Sequence, residues 1–377
     1  KLFDFIHIDI VHIHHMLNHY LDIFDITYER RIPTFATMHD LYMVCPALLM
    51  HPMGKYCKNL EGINCKDCLN EKFGIEGDLI SKWQKEFYSK LKRVDKVITP
   101  SENTKSIALE TYPDLNIEVI EHGVDKNFYK DLNDLPHDES TAHNIAFVGG
   151  IDEYKGVEKL KGLIDLVNKS KYNIKLHECG RTSLMELNSN NKRYIYHDAY
   201  KRPDLKGLLA KNNIELILLL SNVPETYSFT LTEAVMCEIP VIVLDIGALA
   251  ERVGKSNCGW IMDLKSNAND VYNKIIEIIN NPDEYNSKKE NVKQYKKNIR
   301  DINDMIEFYH QIYERYNSDY SVKYDKEFAR QLLSYGNEIN RLEESHEEFD
   351  NMIRNTVGDM NRYVAIVNSR RYKLVAN

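Results

Sequence analysis

Short apolar runs recur along the chain, separated by stretches in which apolar residues return every three or four positions. Residues 9–13, 34–38, 95–99 and 117–121 read as strands, with helical patterns over 17–30 and 77–92 and a further helix capped by Ser101. A second alternating series begins at 143–148, continues through strands at 173–179, 193–197, 214–220 and 240–245, and closes with a short strand at 260–262. Helical spacing follows Gly156 (Val157, Leu160, Leu163, Ile164, Val167) and recurs over 204–209, 269–280 and 301–316. Strands alternating with helices imply parallel sheets, and two such series imply two α/β domains. The polar, acidic stretch 125–141 is the expected connection. The first series has four strands and no glycine-rich opening turn, so its initial units read as missing and the chain as a fragment.

From Tyr320 the pattern changes. Leu332, Tyr335, Ile339, Leu342, His346, Phe349 and Ile353 alternate three and four apart, and after a four-residue step Val357, Met360 and Val364 continue the seam. This heptad pattern with one stutter reads as a coiled-coil arm or as one long helix packed on the body. The expected division is therefore 1–125, a partial N-terminal Rossmann-like domain with a cysteine-rich loop over 45–68; 126–317, a C-terminal Rossmann-like domain; and 318–377, a helical coiled-coil tail.

Of the 377 residues 43% are hydrophobic and 28% charged, and the formal net charge of -8 disfavours a general nucleic-acid partner. No apolar run reaches the ~18 residues a membrane-spanning helix requires, and no export signal is present, so a cytoplasmic location, peripheral at the inner face of a membrane, is expected. Four of the seven cysteines cluster as Cys45, Cys57, Cys65 and Cys68, spaced C-x11-C-x7-C-x2-C. They are candidate ligands of a structural zinc ion or reduced thiols of an irregular loop. Histidines at 7, 12, 14, 15 and 19 do not suggest metal, because alternating strand faces scatter them.

The candidate chemistry centres on PETYSFTLTEAVMCEIPVIVLD, residues 224–245. Apolar strands on either side place Glu225 in a loop at the carboxyl end of a parallel sheet and Glu233 just inside the following helix. The backbone N–H groups of Phe229, Thr230 and Leu231 would lie unpaired at that helix start, which attracts phosphate. Two carboxylates flanking an anion site suit a ligand with hydroxyls at both ends and phosphate between them, as in a nucleotide sugar. Gly149 and Gly150 end an earlier strand, and Lys155 follows them at a helix start, where a point charge would meet phosphate.

His12 and His14, the pair His39-Asp40, Ser101-Glu102, HGVD at 122–125, FVGG...KG at 147–156, the two glutamates and PVI..D.GA..ER at 240–252 occur in one order. This set resembles the group 1, family 4-like retaining nucleotide-sugar glycosyltransferases of GT-B fold, over residues 4 to about 317. The resemblance implies two facing Rossmann-like domains with a UDP-, GDP- or dTDP-sugar donor in the cleft. It implies transfer to a glycan or lipid-linked acceptor with retention of configuration, without a catalytic metal, in bacterial surface polysaccharide biosynthesis. Glu233 would accept ribose hydroxyls, Glu225 would hold the donor sugar, Lys155 and the helix start would stabilise the leaving diphosphate, and His14 would face the donor sugar. Two positions depart from the family pattern: Gly150 stands where an arginine is common, and Tyr227-Ser228 replaces an aromatic-glycine pair. A degenerate, non-catalytic module organising an assembly complex is the alternative, with the tail carrying self-association or further domains.

Overall fold

The computed structural model describes residues 8–17, 19–51, 55–57, 64–74, 77–129, 141–181 and 193–316, together with 334 and 341. Apart from 334 and 341, the expected coiled-coil tail lies outside them. The first sheet is parallel, with order β1 (Val11–Ile13), β2 (Thr34–Thr37), β5 (Lys96–Thr99), β6 (Ile117–Val119). Between β1 and β2 runs α1 (Asp22–Glu29). The cysteine region, expected as an irregular loop, carries a two-stranded hairpin, β3 (Met50–His51) and β4 (Lys55–Tyr56), and a helix, α2 (Cys65–Phe73). α3 (Leu79–Leu91) and α4 (Glu102–Thr111) complete the unit. Ser101 caps α4 as its sequence position predicts, accepting from the Thr104 N–H at 3.1 Å.

The second sheet has six parallel strands: β7 (His143–Val148), β8 (Ile174–Cys179), β9 (Tyr194–His197), β10 (Ile214–Leu219), β11 (Val241–Leu244) and β12 (Gly259–Met262). Their spatial order is β12-β11-β10-β7-β8-β9. The chain thus starts in the middle, winds outward one way and then the other, leaving a switch point between β7 and β10 where open α/β sheets bind ligands. Helices α5 (Val157–Lys169), α6 (Arg202–Lys211), α7 (Phe229–Met236), α8 (Gly247–Ser256), α9 (Ala268–Ile279) and α10 (Pro282–Asn298) follow in the series. All four residues of β11 are buried, as a strand covered on both faces must be.

One element crosses the expected boundary. Helix α11 (Ile302–Tyr313) falls by sequence position in the second domain, yet Ile312 is buried with Phe35 and Ile98 of the first sheet and with Ile120 just past its last strand. The crossing is fixed where Val124 donates to Arg300 O at 3.1 Å and Ile302 donates back to Val124 O at 3.0 Å. Gly123 permits it: a Cβ there would stand 2.5 Å from Asp301 O.

Candidate active site

The loop from β10 into α7 builds the centre of the site. Ser221 Oγ donates to Val223 O at 3.0 Å, turning the chain after the strand. Ser228, at φ 69°, caps α7 by accepting from the Leu231 N–H at 3.4 Å. That bond corrects the expected donor set. Leu231 is spent on the cap and its side chain is fully buried, whereas the Phe229 and Thr230 N–H groups meet no protein acceptor among the described residues. Glu233 falls on the fifth position of the helix, one turn further in than its spacing suggests.

The glycine loop packs against the same helix start. Gly149, at φ 98°, leaves room such that a Cβ would lie 3.4 Å from Thr230 Oγ1. Asp152 Oδ1 accepts the Tyr154 and Lys155 N–H groups, both at 2.9 Å, which makes the turn that presents Lys155. Gly156 lets this turn close onto the end of β10, since a Cβ there would sit 2.6 Å from Leu220 O. Gly150, Lys155, Glu225 and Thr230 consequently line one small cavity at the switch point, about 20 Å³ in volume.

Glu233 is buried, 5% exposed, and lies beside α6. The Tyr200 hydroxyl donates to its Oε2 at 3.1 Å, and Arg202 Nε stands 3.3 Å from its Oε1. Burial raises the carboxyl pKa, while Tyr200, Arg202 and Lys155 pull it back. The Arg202 guanidinium also covers the Phe229 ring, 4.8 Å from its centroid, next to the free N–H groups of α7. Arg202 stands 31 residues from Glu233 in sequence, and its only local signal is its place at the start of a helix.

His14 directly follows β1 and joins a ladder of rings that crosses the cleft. It stacks on His12 at 4.0 Å and on His39 at 5.1 Å, with its Nδ1 2.8 Å from His39 Nε2. His39 stacks on His122 at 5.2 Å, and His122 lies nearly parallel to Phe229 at 5.3 Å. Burial, reinforced by neighbouring histidines, lowers the pKa of His12 to about 3 and of His122 to about 4, and burial lowers those of His14 and His39 as well. The ladder is therefore neutral at pH 7, an apolar-faced wall with hydrogen-bonding edges.

The two domains are stitched around this wall. The Thr226 hydroxyl donates to His39 O at 2.6 Å, the Thr104 hydroxyl to Thr226 O at 3.2 Å and the Tyr227 hydroxyl to His122 O at 2.8 Å. Glu251 accepts the Asn103 N–H at 2.7 Å. Arg252, 3% exposed, donates through Nη1 to Tyr227 O and Ser228 O and through Nη2 to Thr232 Oγ1, locking the loop that carries Glu225.

The zinc expectation is not supported. Cys45, Cys57, Cys65 and Cys68 do line one pocket of about 190 Å³, but among the described residues no group of three or more His, Cys, Asp or Glu side chains could hold a metal ion. The pocket walls are apolar, including Val44, Leu49 and Leu69, and burial raises the Cys45 and Cys68 thiols, which favours the neutral S–H form.

Residues 133–298 match the glycosyl transferases group 1 family, and residues 1–128 match glycosyltransferase family 4. The chain belongs to the GT-B group 1 glycosyltransferases. It is 25% identical over 175 residues to an uncharacterised protein of the cps region of Klebsiella pneumoniae, covering 46% of each chain. It is 26% identical over 239 residues to an uncharacterised glycosyltransferase of Methanocaldococcus jannaschii, covering 61% of each. The matches thus span between about half and three fifths of those relatives' lengths. In fold the chain is similar to HepE of Anabaena, crystallised with UDP (TM-score 0.57, 14% identity, 78% of this chain and 76% of that one). Sucrose-phosphate synthase of Thermosynechococcus elongatus is also similar (TM-score 0.58, 16% identity, 81% and 73%). Among the described residues of this group 1 glycosyltransferase, no helix is long and apolar enough to cross a membrane.

Proposed function

We propose that this protein transfers a sugar from a nucleotide-sugar donor to a glycan or lipid-linked acceptor with retention of configuration, in the assembly of a bacterial surface polysaccharide. One observation carries the reading. Lys155, Glu225 and Thr230 line a single cavity at the switch point, and Glu233 lies close enough to Lys155 to feel its charge. Hydroxyl acceptors at two ends with cations and free N–H groups between them match ribose, diphosphate and sugar in that order. Glu233 takes the ribose hydroxyls and Glu225 those of the donor sugar. Lys155 and the Phe229 and Thr230 N–H groups take the diphosphate, where negative charge grows as the glycosidic bond breaks. Arg202, held over Phe229, supplies the second cation that the Gly150 position lacks. The departing phosphate oxygen accepts the proton of the attacking hydroxyl on the same face of the sugar, and His14 presents a neutral ring to that sugar. The second domain is then the donor side and the first the acceptor side, working in the cytoplasm at the inner face of the membrane.

The relative in the cps region supports a role in surface polysaccharide, and the neighbour holding UDP makes uridine donors the first to test. The deciding experiment incubates the protein with a panel of nucleotide sugars and follows nucleotide release. Release that requires acceptor, and that falls together with donor affinity in Glu225→Ala and Glu233→Ala, is the expected result. Unchanged affinity and transfer in both variants would leave a non-catalytic assembly module as the better reading.

A further inference from the structure

A third cavity lies outside the proposed donor site. Between the start of α4 and the turn from β11 into α8 lies an open cleft of about 430 Å³, lined by Tyr56, Asn103, Asp245, Gly247 and Glu251. Its size falls within the ~300–1,000 Å³ usual for small-molecule sites. Its hydrogen-bonding capacity is unspent. Asn103 Oδ1 is buried and has no hydrogen-bond partner among the described residues, a deficit that typically costs about 1–3 kcal/mol and that a ligand hydroxyl would make good. The exposed carboxylate of Asp245 makes no hydrogen bond or ion pair among the described residues, although its N–H is taken by Met262 O at 2.8 Å. Glu251 is committed to the Glu102 and Asn103 N–H groups and to Lys255, so it shapes the wall. The Tyr56 ring adds an aromatic side.

The cleft is also in the right place. Its far wall is the turn that abuts Glu225: Ala248 N–H donates to Glu225 O at 2.9 Å, and a Cβ on Gly247 would lie 2.7 Å from Glu225 N. One wall comes from each domain. We infer that this cleft is the acceptor subsite and takes a neutral or N-acetylated sugar unit, with Asn103 and Asp245 hydrogen-bonding its hydroxyls; the assignment rests on the donor reading for Glu225. An amide, a carboxylate and an aromatic face are the groups a sugar uses. The lining carboxylates, with Lys255 already paired to one of them, repel a uronate or phosphate at this subsite.

The test is saturation-transfer NMR on the full chain with methyl glycosides of glucose, N-acetylglucosamine and glucuronic acid, each with and without saturating UDP. Neutral glycosides are expected to bind in both conditions and the glucuronide to bind more weakly. Asn103→Ala and Asp245→Ala should each weaken the neutral glycosides about fivefold to tenfold, the value of one hydrogen bond, with UDP affinity unchanged. Asp245 is exposed, so its variant tests the cleft even where Asn103→Ala disturbs folding. No glycoside binding, displacement of the glycoside by UDP, or equal affinity in Asp245→Ala overturns the inference. UDP affinity, measured separately, reports on the donor site: a chain that binds neutral glycosides here without binding UDP would sink the donor reading and with it the acceptor role, leaving the cleft a sugar site only.

Discussion

Gly247 is where a single methyl group should separate nucleotide binding from sugar transfer. It opens α8 at φ 67°, and an added Cβ would stand 2.7 Å from both Glu225 N and Pro224 Cα and 2.9 Å from Glu225 O. The left-handed conformation costs an alanine about 1–2 kcal/mol. The overlap is the larger matter, because the neighbours are backbone and cannot rotate away. Reaching an ordinary contact of 3.4 Å from 2.7 Å requires a shift of roughly 0.7 Å, and forced overpacking of this kind costs about 1–3 kcal/mol. Gly247→Ala should therefore lose about 2–5 kcal/mol in urea or guanidinium unfolding. The shift falls on Glu225. A displacement approaching 1 Å in a positioning group costs about a hundredfold in rate, so transfer should fall about tenfold to a hundredfold. Glu233 and the Phe229 and Thr230 N–H groups belong to α7, which Arg252 anchors through Thr232 and Ser228, so UDP binding by calorimetry should stay within about twofold. Unchanged transfer, or a loss of UDP binding as large as the loss of transfer, would refute the assignment of Glu225 to the sugar.

Three further outcomes follow from the geometry. Gly123→Ala places a Cβ 2.5 Å from Asp301 O at the chain crossing, and should destabilise by about 1–3 kcal/mol in denaturant melts. Arg252→Gln strips three hydrogen bonds from the donor loop and helix, and should cost about 3 kcal/mol or more, with a parallel fall in donor affinity by calorimetry. The folded-state pKa of His122, about 4, lies below its unfolded value, so its contribution is complete above pH 6.5 and is lost as pH falls towards 4. Over that window the loss should reach roughly 1–3 kcal/mol, and His122→Phe should flatten the pH profile of urea stability by about that amount.

What the sequence made legible was the part built from continuous apolar runs and local chemistry. Residues 214–220 and 240–245 read as buried parallel strands, and with the turn formers Ser221 and Pro224 and the pair Gly247-Ala248 they put Glu225 at the carboxyl end of a sheet. Ser101 announced its helix because a cap is a local bond. α10 was missed for the opposite reason: across PDEYNSKKENVKQYKKN only Val292 is buried, so no apolar period betrays it, although Asn281 caps it in the ordinary way by accepting from the Glu284 N–H. α8 was hidden because it opens on a glycine that reads as a turn. Tertiary placement was not legible at all. Nothing local to Ile312 says that it packs beside Phe35, and nothing near Glu233 names Tyr200 and Arg202 as its partners.

The same long-range contacts explain why the two glutamates, eight positions apart, need not act as one unit. Glu233 is fixed by its own domain, on a helix whose partners Arg252, Tyr200 and Arg202 all come from the second sheet's layers. Glu225 sits in a loop where Ser228 is held at φ 69°, a conformation a non-glycine residue keeps only when its surroundings enforce it. Arg252 supplies part of that enforcement, through Tyr227 O and Ser228 O. The rest comes from the first domain, through the Thr226 bond to His39, the Thr104 bond to Thr226 and the Tyr227 bond to His122. Parting the domains removes three hydrogen bonds from the Glu225 loop and none from Glu233. If Glu233 takes the ribose and Glu225 the sugar, as proposed, nucleotide binding should survive parting of the domains and the hold on the sugar should not.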